Sequence, residues 1–159
     1  MPKKRIYHDG QKLRNVIEGF STLKYASEKG YPKVMDRGMT FVLLHDMDCH
    51  NHAIGYTTAT ELAEGVFLVG NTWVDEEMRG LGYHTGLLKW RNEELKETFG
   101  ATHIYTCLNP QEGIPLERLE ETVSKLGYKK VGAMGMKHVR LRDRVHVLCA
   151  GLSVWGKEL

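Results

Sequence analysis

The stretch that most constrains this chain is Val74-Asp75-Glu76-Glu77-Met78-Arg79-Gly80-Leu81-Gly82-Tyr83-His84-Thr85-Gly86. It joins a strand-like run, Val66 to Val74, to an amphipathic run, His84 to Phe99. A strand that enters a helix through Gly-x-Gly leaves backbone N–H groups converging at the turn, with the positive end of the helix dipole behind them. That arrangement can receive a pyrophosphate. Gly80 and Gly82 allow unusual backbone angles and close approach of a ligand, and Arg79 adds a forked cation.

Spacing separates the folds that open in this way. A Rossmann turn, G-x-G-x-x-G, needs its third glycine at position 85, whereas the chain has Thr85 and then Gly86. A Walker loop needs Gly-Lys-Ser/Thr, which is absent from the sequence. The segment resembles the pyrophosphate loop of the GNAT acyltransferase superfamily, in which a strand ends in Val-x-Pro-x-x-Arg-Gly-x-Gly-x-Gly/Ala. Two further segments follow in the family's order. Phe99-Gly100-Ala101 leads through a strand to Asn109-Pro110, and Lys125-Leu126-Gly127-Tyr128-Lys129-Lys130-Val131-Gly132 is similar to Lys-Leu-Gly-Phe-x-x-x-Gly. The resemblance spans roughly Phe67 to Gly132.

The rest of the chain reads as one domain, residues 1–159, of α/β (α+β) class: a mixed, mostly antiparallel sheet flanked by helices. Apolar spacing predicts helices over Gln11–Phe20 and Ser21–Lys29, and strands over Phe41–Leu44, Ala53–Leu62 and Val66–Val74. A helix over His84–Phe99, a strand over His103–Leu108 and a helix over Leu116–Leu126 follow, the last ended by Gly127. Closing strands are expected over Lys129–Val139 and Val145–Val154. With 159 residues, 42% of them hydrophobic, the chain can build one ordinary core.

A net charge of +2 gives no strong electrostatic pull on nucleic acid. Lys3, Lys4 and Arg5 read as a frayed, solvated terminus, and Arg140, Arg142 and Arg144 as a polar turn. No apolar run reaches the ~20 residues of a membrane span, and no signal-peptide core is present. Cys49, Cys107 and Cys149 read as reduced thiols of a cytoplasmic protein.

The resemblance implies acetyl-CoA, or another short acyl-CoA, as cofactor. It assigns the pyrophosphate to the backbone of Leu81, Gly82, Tyr83, His84 and Thr85, with Arg79 and Gly80 completing the loop. The pantetheine arm falls to Trp73, Val74 and Asn109, where exposed main chain pairs with its amides as an added strand would. His84 stands where the family usually has Gly or Ala, so its side chain must point away or itself meet a phosphate. Glu76 replaces the usual Pro.

Acyl transfer to an amine needs a base for the amine and an acid for the departing thiolate. Family members often place these groups at positions occupied here by Leu68 and Val123, neither of which moves a proton. Ser124, Tyr105 and Asn71 are the candidates to take over, with Cys107 as a further polar neighbour; proximity and orientation alone also drive aminolysis of a thioester. The expected activity is acylation of a primary amine on a small molecule or a protein. The alternatives are a non-catalytic acyl-CoA-binding protein and, more weakly, a nucleic-acid-modifying relative. The apolar Val145–Val154 run is compatible with a homodimer.

His45-Asp46-Met47-Asp48-Cys49-His50-Asn51-His52 offers nitrogen and sulfur ligands, yet its spacing matches no metal signature and no metal is expected. A role in lining the acceptor pocket fits the same loop. His103, His138 and His146 read as edge or interface residues, and Trp73, Trp90 and Trp155 as core or subunit contacts.

Overall fold

The computed structural model describes residues 3–8, 38–44, 53–108, 110, 114–131 and 153–159. The described strands are β1 (Lys3–His8), β2 (Gly38–Leu44), β3 (Ala53–Ala63), β4 (Val66–Val74), β5 (His103–Leu108), β6 (Lys129–Lys130) and β7 (Ser153–Glu158). The described helices are α1 (Tyr83–Glu97) and α2 (Leu116–Lys125), and a 3-10 turn, Glu76–Met78, precedes α1. The strands form one sheet in the order β1-β2-β3-β4-β5-β7-β6. Every neighbouring pair is antiparallel except β4 and β5, which are parallel and connected through α1. This is the mixed, mostly antiparallel α/β arrangement that the sequence predicts.

Side chains alternate across the sheet. Phe67, Val69, Ile104 and Leu108 join Phe41, Leu87, Trp90, Leu95, Tyr128 and Trp155 in the larger core on the face that carries α1 and α2. Val66, Tyr105, Leu62 and Val154 form a second cluster, with Leu68, Cys107 and Val131 packed against it. The α1 stripe of Leu87, Trp90, Arg91 and Leu95 is buried at helical spacing. Burying each large apolar member contributes ~1.5–3 kcal/mol, and Trp90 meets Phe41 edge-on at 5.3 Å.

The Leu-Gly-Tyr segment has a defined structural task. Gly127 has φ +89°, its N–H donates to the Ser124 carbonyl at 3.0 Å, and the Tyr128 N–H donates to the Val123 carbonyl at 3.0 Å. This is the paired closure of a helix C-terminus by a left-handed glycine. Lys157 Nζ donates to a further carbonyl at this helix end, Leu126 O, at 2.8 Å.

Some expectations are corrected. Lys3–His8 is a strand rather than a frayed terminus: it pairs from Lys3↔Leu44 to His8↔Met39. Backbone bonding to β2 supplies its order, while Lys3, Lys4 and Arg5 stay exposed as expected. β2 begins at Gly38 because Gly38, Met39 and Thr40 continue the ladder with β3. The last strand runs past Val154 to Glu158, held along its length by β5. The expected helices over 11–29, the loop 45–52, Arg140, Arg142, Arg144, His138, His146, and most of the closing hairpin lie outside the described residues. Among the described residues no helix is long and apolar enough to cross a membrane, and no cluster of His, Cys, Asp or Glu is placed to hold a metal.

Candidate active site

β4 and β5 start as paired neighbours and then part. Their parallel register covers Val66↔His103, Phe67↔Ile104 and Leu68↔Tyr105, and no further β4–β5 pairing follows among the described residues. Both strands continue, β4 to Val74 against β3 and β5 to Leu108 against β7. The sheet therefore opens between Val69–Val74 and Thr106–Leu108. β4 also carries a bulge. Tyr56 pairs with Trp73 and Thr58 with Gly70, so Thr57 alone faces both Asn71 and Thr72. A bulge bends its own strand and raises local twist, which turns β4 away from β5.

The turn after β4 is fixed at both ends. The Asp75 N–H donates to Ile54 O at 2.7 Å, and the Asp75 carboxylate accepts from the Glu77 N–H at 3.3 Å. Arg79 Nε donates to Val74 O at 3.0 Å. Among the described residues only this nitrogen of the guanidinium is engaged, so the exposed terminal amino groups project from the turn. Gly55 brings β3, β4 and α1 together: a Cβ there would lie 2.6 Å from Trp73 O and 3.0 Å from Leu87 Cδ1.

Gly80 and Gly82 both take positive φ, +80° and +86°, and a Cβ at either would meet nothing within 4 Å. Their conformation thus serves the turn, and the space above them is open. Gly82 caps α1 without any side-chain hydrogen bond. The first intrahelical bond to follow runs from the Gly86 N–H to Gly82 O at 3.0 Å. The N–H groups of Tyr83, His84 and Thr85 therefore leave the helix without intrahelical acceptors. Leu81 is 65% exposed, an apolar residue on the rim of a loop that can take a polyanion.

Two groups on α1, Arg91 and His84, have their ionisation shifted by the fold. Arg91 is buried on the sheet side, and burial lowers its pKa from the ordinary arginine value, with Tyr128 acting in the opposite sense. His84, one residue into the helix, keeps solvent access. Partial desolvation, followed by the charge of Arg91, lowers its pKa below the ordinary histidine value. Both effects favour the neutral imidazole over the imidazolium.

The sequence candidates fall into three groups. Val74, Arg79, Gly80, Leu81, Gly82, Tyr83, His84 and Thr85 come together at the end of β4 and the start of α1. Trp73 is buried on β4 with its ring 5.6 Å from Tyr56. Asn109 lies outside the described residues. Of the candidates for proton transfer, Asn71 is a backbone member of the bulge, and Tyr105 is buried opposite Leu68 where the pairing ends. Ser124 is exposed in the last turn of α2, and its carbonyl takes part in closing the helix. Val123 packs against the main core and Leu68 against the second cluster. Trp90 and Trp155 are core residues. His103 stands on β5 with Nδ1 2.9 Å from Thr102 Oγ1.

Sequence reasoning missed Thr57, Thr72 and the role of Arg91. A buried arginine on a helix has the same spacing as one whose stem lies on the core and whose head reaches water. Only its contacts tell the two apart.

No protein-family model matches the sequence, and no curated protein matches it. Solved structures do. N-acetylglutamate synthase from Neisseria gonorrhoeae, solved with coenzyme A and N-acetylglutamate, superposes with TM-score 0.64 at 12% identity over 99% of this chain. The chain spans 35% of that synthase, about a third of its length. A GNAT-family acetyltransferase from Staphylococcus aureus gives TM-score 0.62 at 14% identity, over 99% of both chains. An acyl-CoA N-acyltransferase from Pseudomonas aeruginosa gives 0.63 at 11% identity, again over 99% of both. With the bulged β4, the parted β4–β5 ends and the glycine turn into α1, these superpositions establish that the chain carries the fold of the GNAT acyltransferase superfamily.

Proposed function

We propose that the protein binds acetyl-CoA, or another short acyl-CoA, and transfers the acyl group to a primary amine of a small molecule or a protein. One observation carries the reading: the sheet opens beyond Leu68–Tyr105 beside an uncapped helix N-terminus and two glycines with open space above them. An extended arm with amide groups fits the first feature and a pyrophosphate the second. The Neisseria synthase, solved with coenzyme A, supports the choice of cofactor.

On this reading the N–H groups of Leu81, Gly82, Tyr83, His84 and Thr85 bind the pyrophosphate. Arg79, tied to Val74 O, turns its terminal amino groups toward the same charge. Trp73, Val74 and Asn109 provide main chain for the pantetheine amides. Acyl-CoA brings the activated thioester; the protein holds the carbonyl carbon within reach of the amine. The amine nitrogen forms its bond to that carbon, the carbon–sulfur bond breaks, and the thiolate takes up a proton. Tyr105, Asn71 and Ser124 are the proposed groups for moving protons or orienting a water.

A second reading, binding without turnover, draws on Leu68 and Val123. Both are apolar and both pack against the cores, so neither contributes a proton at its place. Calorimetric titration with acetyl-CoA and with free coenzyme A, followed by thiol release in the presence of a panel of amines, separates the readings. Micromolar binding, about −8 kcal/mol, with amine-dependent thiol release supports the transferase. Binding without release selects the second reading, and no binding overturns both.

A further inference from the structure

We propose that Arg91 is a positioning residue of the acyl-CoA site: its buried guanidinium holds the β4 bulge in shape and thereby sets the opening between β4 and β5. The proposal rests on the acyl-CoA reading for its ligand, and on the free protein for its geometry.

Arg91 is 2% exposed, and among the described residues it has no acidic partner. Nη1 donates to Thr57 Oγ1 at 2.7 Å, Nε to Asn92 Oδ1 at 3.1 Å, and Nη2 to Tyr128 Oη at 3.4 Å. The shortest of these bonds goes to Thr57, the single β3 residue that faces the two bulge residues. Because Thr57 Oγ1 accepts from Arg91, its own proton is directed onward. Thr72 Oγ1 lies 2.9 Å away and Gly70 O 3.4 Å away. Thr58 Oγ1 donates to the same Gly70 carbonyl at 2.9 Å. Gly70, which precedes the bulge, and Thr72, within it, are therefore both tied to a hydroxyl that Arg91 orients.

Stability alone does not account for this arginine. Its partners among the described residues are all neutral, and a guanidinium buried among neutral groups is costly beside an apolar side chain of similar volume. The neighbouring stripe positions Leu87 and Leu95 show that an apolar residue suits this face of α1. What an apolar side chain lacks is a fixed donor aimed at Thr57. A bulge can relax toward a regular ladder by slipping register; the Arg91–Thr57–Thr72 chain opposes that slip. It does so next to the point where β4 leaves β5.

Two substitutions each delete one acceptor from the same guanidinium, and only one of them touches the bulge. Thr57→Val is expected to weaken acetyl-CoA binding about tenfold or more and to speed amide exchange at Thr72 and Trp73 in the free protein. Thr57→Ser, which restores the hydroxyl, is expected to rescue both. Tyr128→Phe keeps the ring and is expected to change affinity by less than about twofold, whatever its effect on melting. Equal losses in Thr57→Val and Tyr128→Phe, or unchanged exchange in Thr57→Val, would overturn the proposal. Should Thr57→Val not fold, Arg91→Lys carries the test. An ammonium cannot hold Thr57 and Tyr128 together, so faster exchange at the bulge with weaker binding is expected, and unchanged values refute the brace. If the unaltered protein binds no acetyl-CoA, the cofactor reading and the ligand role of Arg91 fall together, while exchange in the free protein still decides whether Arg91 holds the bulge.

Discussion

Tyr105 and Gly156 face each other across β5 and β7, and the tyrosine ring lies over the glycine: a Cβ at Gly156 would come within 2.9 Å of Tyr105 Cε1. The glycine is what permits this aromatic side chain to lie across its neighbour where β4 and β5 cease to pair. Val131 Cγ2, 3.2 Å from the same hypothetical Cβ, closes the other side. Gly156→Ala is therefore an overpacking change, expected to cost ~1–3 kcal/mol in denaturant unfolding. Tyr105→Phe, which preserves the ring, is expected to leave acetyl-CoA affinity unchanged and to lower the rate of thiol release. Equal rates in the two proteins would remove Tyr105 from the proposed chemistry.

Glycines of the turn divide by conformation. Gly82→Ala adds a methyl group into open space, so its structural cost is the left-handed backbone alone, ~1–2 kcal/mol. Its effect on acetyl-CoA should be far larger than its effect on melting, because the methyl group fills the space proposed for the phosphates. Gly86 lies inside α1, without positive φ and with nothing within 4 Å of an added Cβ. Gly86→Ala should raise stability by ~0.5–1 kcal/mol. Thermal melts of the two variants, with and without cofactor, check both expectations.

His84 gives the molecule a pH dependence of known sign. Its pKa is lowered in the folded protein, first by desolvation and then by Arg91. Between that lowered pKa and the ordinary value of 6.5 the unfolded chain binds more protons than the folded one. Its contribution to stability is thus fully present above pH 6.5 and declines as pH falls toward the folded pKa. His84→Gln should flatten that part of the profile. A pyrophosphate beside the ring would favour the imidazolium, so acetyl-CoA should bind with proton uptake at roughly pH 6. Titrations in two buffers of different ionisation heat read that uptake, which His84→Gln should abolish.

Lys157 links β7 to the end of α2. Its ammonium donates to Leu126 O at 2.8 Å and stands 5.8 Å from the centre of the Tyr128 ring. Lys157→Met keeps the stem and removes both interactions, with an expected loss of ~1 kcal/mol in unfolding free energy. A change within error would mean that solvent caps the helix equally well.

The central elements were legible because their signals are local. β3, β4 and β5 carry apolar runs bounded by turn residues, and the α1 stripe repeats at helical spacing. The glycine turn reads directly because Gly80 and Gly82 sit where left-handed backbone is needed. β1 was not legible: an edge strand with three exposed basic residues shows no apolar alternation, and its evidence lies in β2, some thirty positions away. The bulge was hidden for a related reason, since register is a property of two strands and Thr57 looks like any other strand threonine. Arg91 shows the same limit, because what it touches comes from β3 and from Tyr128, beyond the glycine that ends α2.

An open sheet has two borders, and among the described strands β1 and β6 occupy them. The separation of β4 from β5 adds a third, lying inside the sheet rather than at its rim. Outer borders can recruit any neighbouring chain, so they must be kept short or charged; β6 is two residues long and β1 begins Lys3-Lys4-Arg5. The two strands of the inner border are already committed on their far sides, to β3 and to β7. On the proposed acyl-CoA reading the guest between them is a single extended filament, the pantetheine arm, for which thickness matters before chemistry.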